Sequence, residues 1–221
     1  MIVEDIYSDS IPALSIKDSA QRALYFMEFF KISHLPIVED DVYVGIISDE
    51  QVLDVKKELS VLKDFEIQTE NSFVYSDEHI YNAIFKMSQF QLSLLPVIDR
   101  DRTYLGTLTP IELIHAIDKM TSLDQRGGVL ILKMGIRDYA LGEIAQIIEA
   151  EQIKILSTNV QTCKDQNNIK LTLKLNTSDL SSIKASLERY NYVIDSSFLE
   201  NQVIDDMHKN RLDELMHYLN I

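Results

Sequence analysis

His34-Leu35-Pro36-Ile37-Val38, followed by Gly45-Ile46-Ile47-Ser48, decides the fold because it occurs twice. Leu94-Leu95-Pro96-Val97-Ile98 and Gly106-Thr107-Leu108-Thr109 repeat it about sixty positions later, which means two copies of one folded unit. The likeness extends upstream. Ala20, Ala23, Leu24, Met27 and Phe30 precede the first Pro, and Ile80, Ala83, Ile84, Met87 and Phe90 precede the second. Both sets have the spacing of one buried helix face. Each unit reads as an amphipathic helix, a short apolar strand, a turn, a strand ending at Gly-x-x-Ser/Thr, and a further helix.

Working outward, residues 1–10 are a lead-in, and Ile11-Pro12-Ala13-Leu14 is extended because Pro disfavours helix in the residue before it. Asp18 or Ser19 is the N-cap expected for the helix over 20–30, with Asp77 or Glu78 as its counterpart. Residues 51–59 read as helix. In the second repeat the hairpin Asp99-Arg100-Asp101-Arg102-Thr103 is one residue longer than the first, and a helix over 110–120 opens at Pro110. The polar stretch ending in Gly127-Gly128 is the clearest domain boundary.

Beyond it the order is strand, helix, strand, strand, helix, strand, the ferredoxin-like split motif. Ile169, Leu171, Leu173 and Leu175 alternate as a strand with one buried face. Leu212, Leu215, Met216 and Leu219 mark a closing C-terminal helix. The fold class is therefore α+β. The expected divisions are 1–66, 67–122, 127–200 and a tail over 201–221.

Bulk properties narrow the function. The 221 residues carry a net charge of −14, so a nucleic acid or an anionic membrane would be repelled, although a local pocket can still take one small anion. Cys163 is the single cysteine, which excludes an intramolecular disulfide and a Cys-rich zinc site and fits a reducing, cytoplasmic setting. The acidic start lacks the pattern of a signal peptide, and no apolar run is long enough for a membrane span. Metal-ligand spacing, a phosphate-cradling glycine loop and a nucleophile elbow are all missing, so the chain reads as non-enzymatic, with no metal and no required cofactor.

Residues 11–120 resemble a tandem pair of CBS domains, the module named after cystathionine β-synthase. The carriers are Ser33-His34-Leu35-Pro36-Ile37-Val38 with Gly45-Ile46-Ile47-Ser48, and Leu95-Pro96-Val97-Ile98-Asp99 with Gly106-Thr107-Leu108-Thr109. Residues 128–199 look like an ACT domain, on element order and on Leu141-Gly142-Glu143-Ile144 leading to Lys154-Ile155-Leu156-Ser157. Together they are similar to acetoin-utilisation-type regulatory proteins. The resemblance implies a regulatory sensor that forms a homodimer. It also implies an adenosine-containing ligand between the repeats (AMP, ADP, ATP or S-adenosylmethionine) and a protein target still to be identified.

By the same resemblance Ser48 and Thr109 are the hydroxyls that meet phosphate, with helix capping as the alternative reading of both. Gln51 and Glu112 stand where the family has an Asp that holds the ribose hydroxyls. Glu112 can accept from both hydroxyls, whereas Gln51 accepts once, so the second half-site is the better one. Ile37, Val97 and Pro12 complete the nucleotide set, with core packing an equal explanation for the first two. Arg100, Arg102, Lys17, Lys31 and His34 read as surface charges and a structural histidine. In the ACT-like part, Asp138 and Tyr139 replace the family's Pro-Gly ligand loop, and Gly135 is the nearby residue that could compensate.

Overall fold

The helix predicted after the first Pro-containing lead-in forms because its apolar residues fall on one face and its ends are capped. In the computed structural model, which describes residues 1–53, 60–70 and 72–199, it is α1, Ala20–Phe30. Ser19 Oγ accepts from the Arg22 N–H at 3.2 Å, one of the two caps foreseen. Lys31 ends the helix in the left-handed region, and the Ile32 N–H returns to the Met27 carbonyl at 3.0 Å. The second repeat copies this ending: Gln91 has a φ of 52°, and the Leu92 N–H donates to the Met87 carbonyl at 3.0 Å.

The copy is not perfect at its start. The cap of α3, Ile80–Gln89, is His79, whose ring accepts from the Tyr81 N–H, rather than Asp77 or Glu78. Both carboxylates are engaged elsewhere: Asp77 pairs with Arg100 at 2.8 Å, and Glu78 accepts from Asn82 at 3.1 Å.

Each repeat supplies an antiparallel hairpin. β1, His34–Glu39, pairs with β2, Val42–Ser48, and β4, Leu95–Ile98, pairs with β5, Tyr104–Leu108. β3, Val74–Tyr75, runs parallel to β4, and Leu14 lies parallel to Ile37 in the matching place. α2, Asp49–Leu53, and α4, Pro110–Thr121, follow the hairpins. The helix expected over 51–59 thus begins two residues early. Its portion beyond Leu53, the single residue Asn71 and the predicted tail helix within 201–221 lie outside the described residues.

The two repeats face each other across a pseudo-twofold axis. The Tyr43 N–H donates to the Arg102 carbonyl at 3.0 Å, and the Tyr104 N–H donates to the Asp41 carbonyl at 2.8 Å. The lead-ins are exchanged. Ser8 pairs with Thr107 of the second hairpin, and Gln68 pairs with Ile46 of the first. Val3 is fully buried and bonded to Glu78, as Leu62 is buried and bonded to Asp18. The lead-in is thus a structural part of the opposite repeat. Ala23, Leu35, Ile47, Ala83, Leu95 and Leu108 form the shared core, each 0% exposed, so removing any large member forfeits both transfer energy and packing.

The described residues after Ile117, up to Leu199, form a second unit. It comprises β6, Gly128–Gly135; α5, Leu141–Ala150; β7, Ile155–Thr162; β8, Asn168–Leu175; α6, Ser181–Arg189; and β9, Val193–Leu199. Its antiparallel sheet runs β7-β8-β6-β9, the ferredoxin-like order. Leu130 and Leu132 from β6, Leu171 and Leu173 from β8, and Ile144 and Leu187 from the helices make its separate core. Gly127, just before β6, has to be glycine because a Cβ there would lie 1.8 Å from the Leu175 carbonyl oxygen.

Candidate functional site

The four polar residues singled out in the repeats fall into two matching constellations, each at the start of the helix that follows a hairpin. At α4, the Thr109 N–H donates to Glu112 Oε2 at 2.8 Å, and the Thr109 hydroxyl donates to the same oxygen. At α2, the Ser48 N–H donates to Gln51 Oε1 at 2.8 Å, the Ser48 hydroxyl reaches that atom at 3.2 Å, and Ser48 Oγ accepts from the Gln51 N–H at 3.3 Å. Ser-x-x-Gln is therefore a full capping box, while Thr-x-x-Glu shows its return half, Glu112 accepting from the Thr109 N–H at the helix start. A ligand bound at either site would compete with these helix-start bonds for the same atoms.

The two boxes differ chemically. Gln51 spends its amide on the Glu66 carbonyl at 2.7 Å, so both ends of that side chain are engaged within the protein. Glu112 offers a carboxylate, which can release the Thr109 donors and accept from two ligand hydroxyls instead. Ser48, Gln51, Thr109 and Glu112 are all partly exposed. Ile37 and Val97 are 0% exposed and belong to the core, and Pro12 is half-buried on the lead-in.

Gly45 and Gly106 have a reason the sequence did not reveal. A Cβ at Gly45 would meet the Gln68 carbonyl oxygen at 2.7 Å, and one at Gly106 would meet the Ser8 carbonyl oxygen at 2.6 Å. Each glycine admits the other repeat's lead-in. Three of the four cations noted in the repeats, Arg100, Arg102 and Lys31, are committed locally. Arg100 forks onto Asp77 at 2.8 and 3.0 Å and lies over the Tyr75 ring. Arg102 donates to the Tyr43 carbonyl, and Lys31 pairs with Glu28.

His34 sits where the repeats meet. The Ser93 N–H donates to its Nδ1 at 3.3 Å, the Ser93 hydroxyl lies 3.0 Å from the same nitrogen, and Ser93 Oγ accepts from the Ser33 N–H at 2.9 Å. Nδ1 is thus an acceptor and the imidazole is neutral. Burial holds its pKa below the usual value, opposed by the nearby carboxylates of Asp49 and Glu50.

In the second unit, a cavity of about 700 Å³ lies among Lys133, Gly135, Arg137, Asp138, Glu143 and Tyr192. Gly135 has a φ of −64°, so it supplies none of the backbone freedom of the family loop. Its neighbour Asp138 lines the same cavity, while Tyr139 turns onto the core. Among the described residues no cluster of three or more His, Cys, Asp or Glu could hold a metal, and no helix is long and apolar enough to cross a membrane.

A homoserine O-acetyltransferase from Methanohalobium evestigatum is 32% identical over 121 residues, 53% of this chain. The chain spans only 24% of that relative's length. A CBS domain pair/ACT domain protein from Thermotoga maritima is 18% identical with a TM-score of 0.49, covering 54% of this chain and 98% of that one. An acetoin utilization protein from Vibrio cholerae is 20% identical with a TM-score of 0.47, covering 56% of this chain and 95% of that one. The CBS domain family model matches residues 3–58 and 63–119, both repeats and more than half of the chain. The chain belongs to the CBS domain family.

Proposed function

We propose that this chain is a cytoplasmic, non-enzymatic sensor that binds an adenosine-containing nucleotide between its repeats and signals through its ACT-like unit and a homodimer. The observation that carries the reading is the pairing of the Thr109 hydroxyl with the Glu112 carboxylate at the first turn of α4, in a member of the CBS family. A ribose offers two vicinal hydroxyls, which the carboxylate can take in exchange for its capping partners, and a phosphate can then meet the freed Thr109 hydroxyl. The exchange links occupancy to the start of α4, and a ligand shifts such an equilibrium only by its differential affinity for the two states.

Exposed apolar side chains support the dimer: Tyr25 and Phe29 on α1 are 62% and 65% exposed, and Ile111 and Ile114 on α4 are 51% and 58% exposed. Light scattering tests it, with twice the 25.4 kDa chain mass expected. Thermal-shift measurement with AMP, ADP, ATP and S-adenosylmethionine at millimolar concentration tests the ligand. Stabilisation by at least one compound is expected, and none with any of them contradicts the nucleotide reading.

A second reading is an interaction protein with a degenerate pocket, favoured by the full engagement of Gln51 with Ser48 and Glu66. It predicts a dimer whose partner binding is indifferent to Glu112→Ala.

A further inference from the structure

Resting on the reading of the repeat cleft as an adenosine site, we propose that the Tyr104 hydroxyl is a ligand-contacting donor and that only its half of the pair takes a ligand. The argument is one of broken symmetry. Tyr43 and Tyr104 hold the same place in the two hairpins, as their reciprocal bonds to Arg102 and Asp41 show. Leu14 lies beside Ile37 as Val74 lies beside Val97, and Ser8 pairs with Thr107 as Gln68 pairs with Ile46. Counted from those pairs, Ser72 and Phe73 in one half correspond to Pro12 and Ala13 in the other.

The Tyr43 half is complete. The Tyr43 hydroxyl donates to the Ser72 carbonyl at 3.0 Å and meets Ser72 Oγ at 2.9 Å, and Ser72 Oγ donates on to the Gln68 carbonyl at 3.2 Å. The Phe73 ring lies 5.7 Å from the Tyr43 ring, edge to face, and is covered by Lys86 and Arg102. Protein groups fill this half, and its polar box is Ser48 with the committed Gln51.

The Tyr104 half lacks both fillings. Pro12 has no hydroxyl to answer the phenol, and Ala13 has no ring. Among the described residues Tyr104 Oη is the one buried side-chain polar atom with no hydrogen-bond partner. Burial, with Tyr43 and Asp9 nearby, pushes the phenol pKa up, so the group keeps its proton and can only gain by donating. An uncharged acceptor, such as a purine ring nitrogen, is the chemistry that fits. The same half carries Thr109 and Glu112, so two independent asymmetries point to one side.

Calorimetric titration of the full chain with AMP, ADP, ATP and S-adenosylmethionine tests the proposal, together with thermal unfolding of the unliganded variants. The expected result is one site per chain. Tyr104→Phe should weaken binding about tenfold, the loss of one good hydrogen bond, while keeping or raising the unliganded Tm. Tyr43→Phe should lower the Tm and leave the affinity unchanged. Ala13→Phe, which copies Phe73 into the second half, should abolish binding. Two sites per chain, unchanged affinity in Tyr104→Phe, or retained binding in Ala13→Phe would each overturn the inference and leave the nucleotide reading intact. Absence of heat from the wild-type chain with all four compounds would overturn that reading itself.

Discussion

The backbone N–H of Tyr43 donates to the carbonyl of Arg102 at 3.0 Å, tying the tip of one hairpin to the tip of the other. With its mirror bond from Tyr104 to Asp41, it makes the repeats a reciprocal pair rather than two beads on a chain. Neither repeat is therefore complete without the other's lead-in, and the stability of both should be lost in one transition.

The close approach at Gly45 and Gly106 gives the most direct test of that exchange. Gly106→Val places a branched side chain against the Ser8 carbonyl, and Gly45→Val places one against Gln68. Each should cost about 1–3 kcal/mol or more by overpacking. Urea unfolding should show a lower midpoint for both. A midpoint equal to wild type would mean that the lead-in does not cross there.

His34 should make stability depend on pH. Its folded pKa lies below the usual histidine value because burial disfavours the charged ring. Below about pH 6.5 the unfolded chain binds a proton that the folded chain resists. The contribution of His34 is thus present above that pH and is lost as pH falls towards the folded value. His34→Asn should flatten this part of the profile, measured as Tm from pH 5 to 8. An unchanged slope would remove His34 from the account.

The Ser93 hydroxyl joins both repeats by accepting from the Ser33 N–H and meeting His34. Ser93→Ala leaves a partly buried N–H unpaired and should cost about 1–3 kcal/mol in equilibrium unfolding. A loss below about 0.5 kcal/mol would be within the range of an ordinary surface change and would contradict the role given to this joint.

At α4, capping and ligand binding can be separated. Gln serves in a capping box as Glu does, so Glu112→Gln should keep the Tm within a degree or two of wild type while weakening nucleotide binding. Glu112→Ala should lose both, with about 0.5–2 kcal/mol of stability. Equal nucleotide affinity in Glu112→Gln and wild type would show that the carboxylate charge is not used.

Much of this was legible in the residues. The repeat, the buried faces of α1 and α3, the hairpins and the ferredoxin-like order follow from periodicity, which reports side-chain burial directly. The exchanged lead-ins were not legible, because Ser8–Thr107 and Gln68–Ile46 are joined by backbone groups that every residue carries. The two glycines are their only trace in the residues, and a glycine alone does not say which backbone approaches it. His79 escaped as a cap because Asp77 and Glu78 are better caps in isolation, and only Arg100 and Asn82, distant or later in the chain, divert them. The alternatives for Ser48 and Thr109 could not be ranked without seeing where Gln51 and Glu112 turn.

The measurement that bears most directly on the central claim is a crystal structure of the full chain grown with whichever adenosine compound stabilises it most. The account predicts a ribose held by Glu112 beside Thr109, with its purine reaching the Tyr104 hydroxyl and the Ser48–Gln51 box still closed. A ligand seated at Ser48 and Gln51, or crystals in which neither half holds one at saturating concentration, would contradict it.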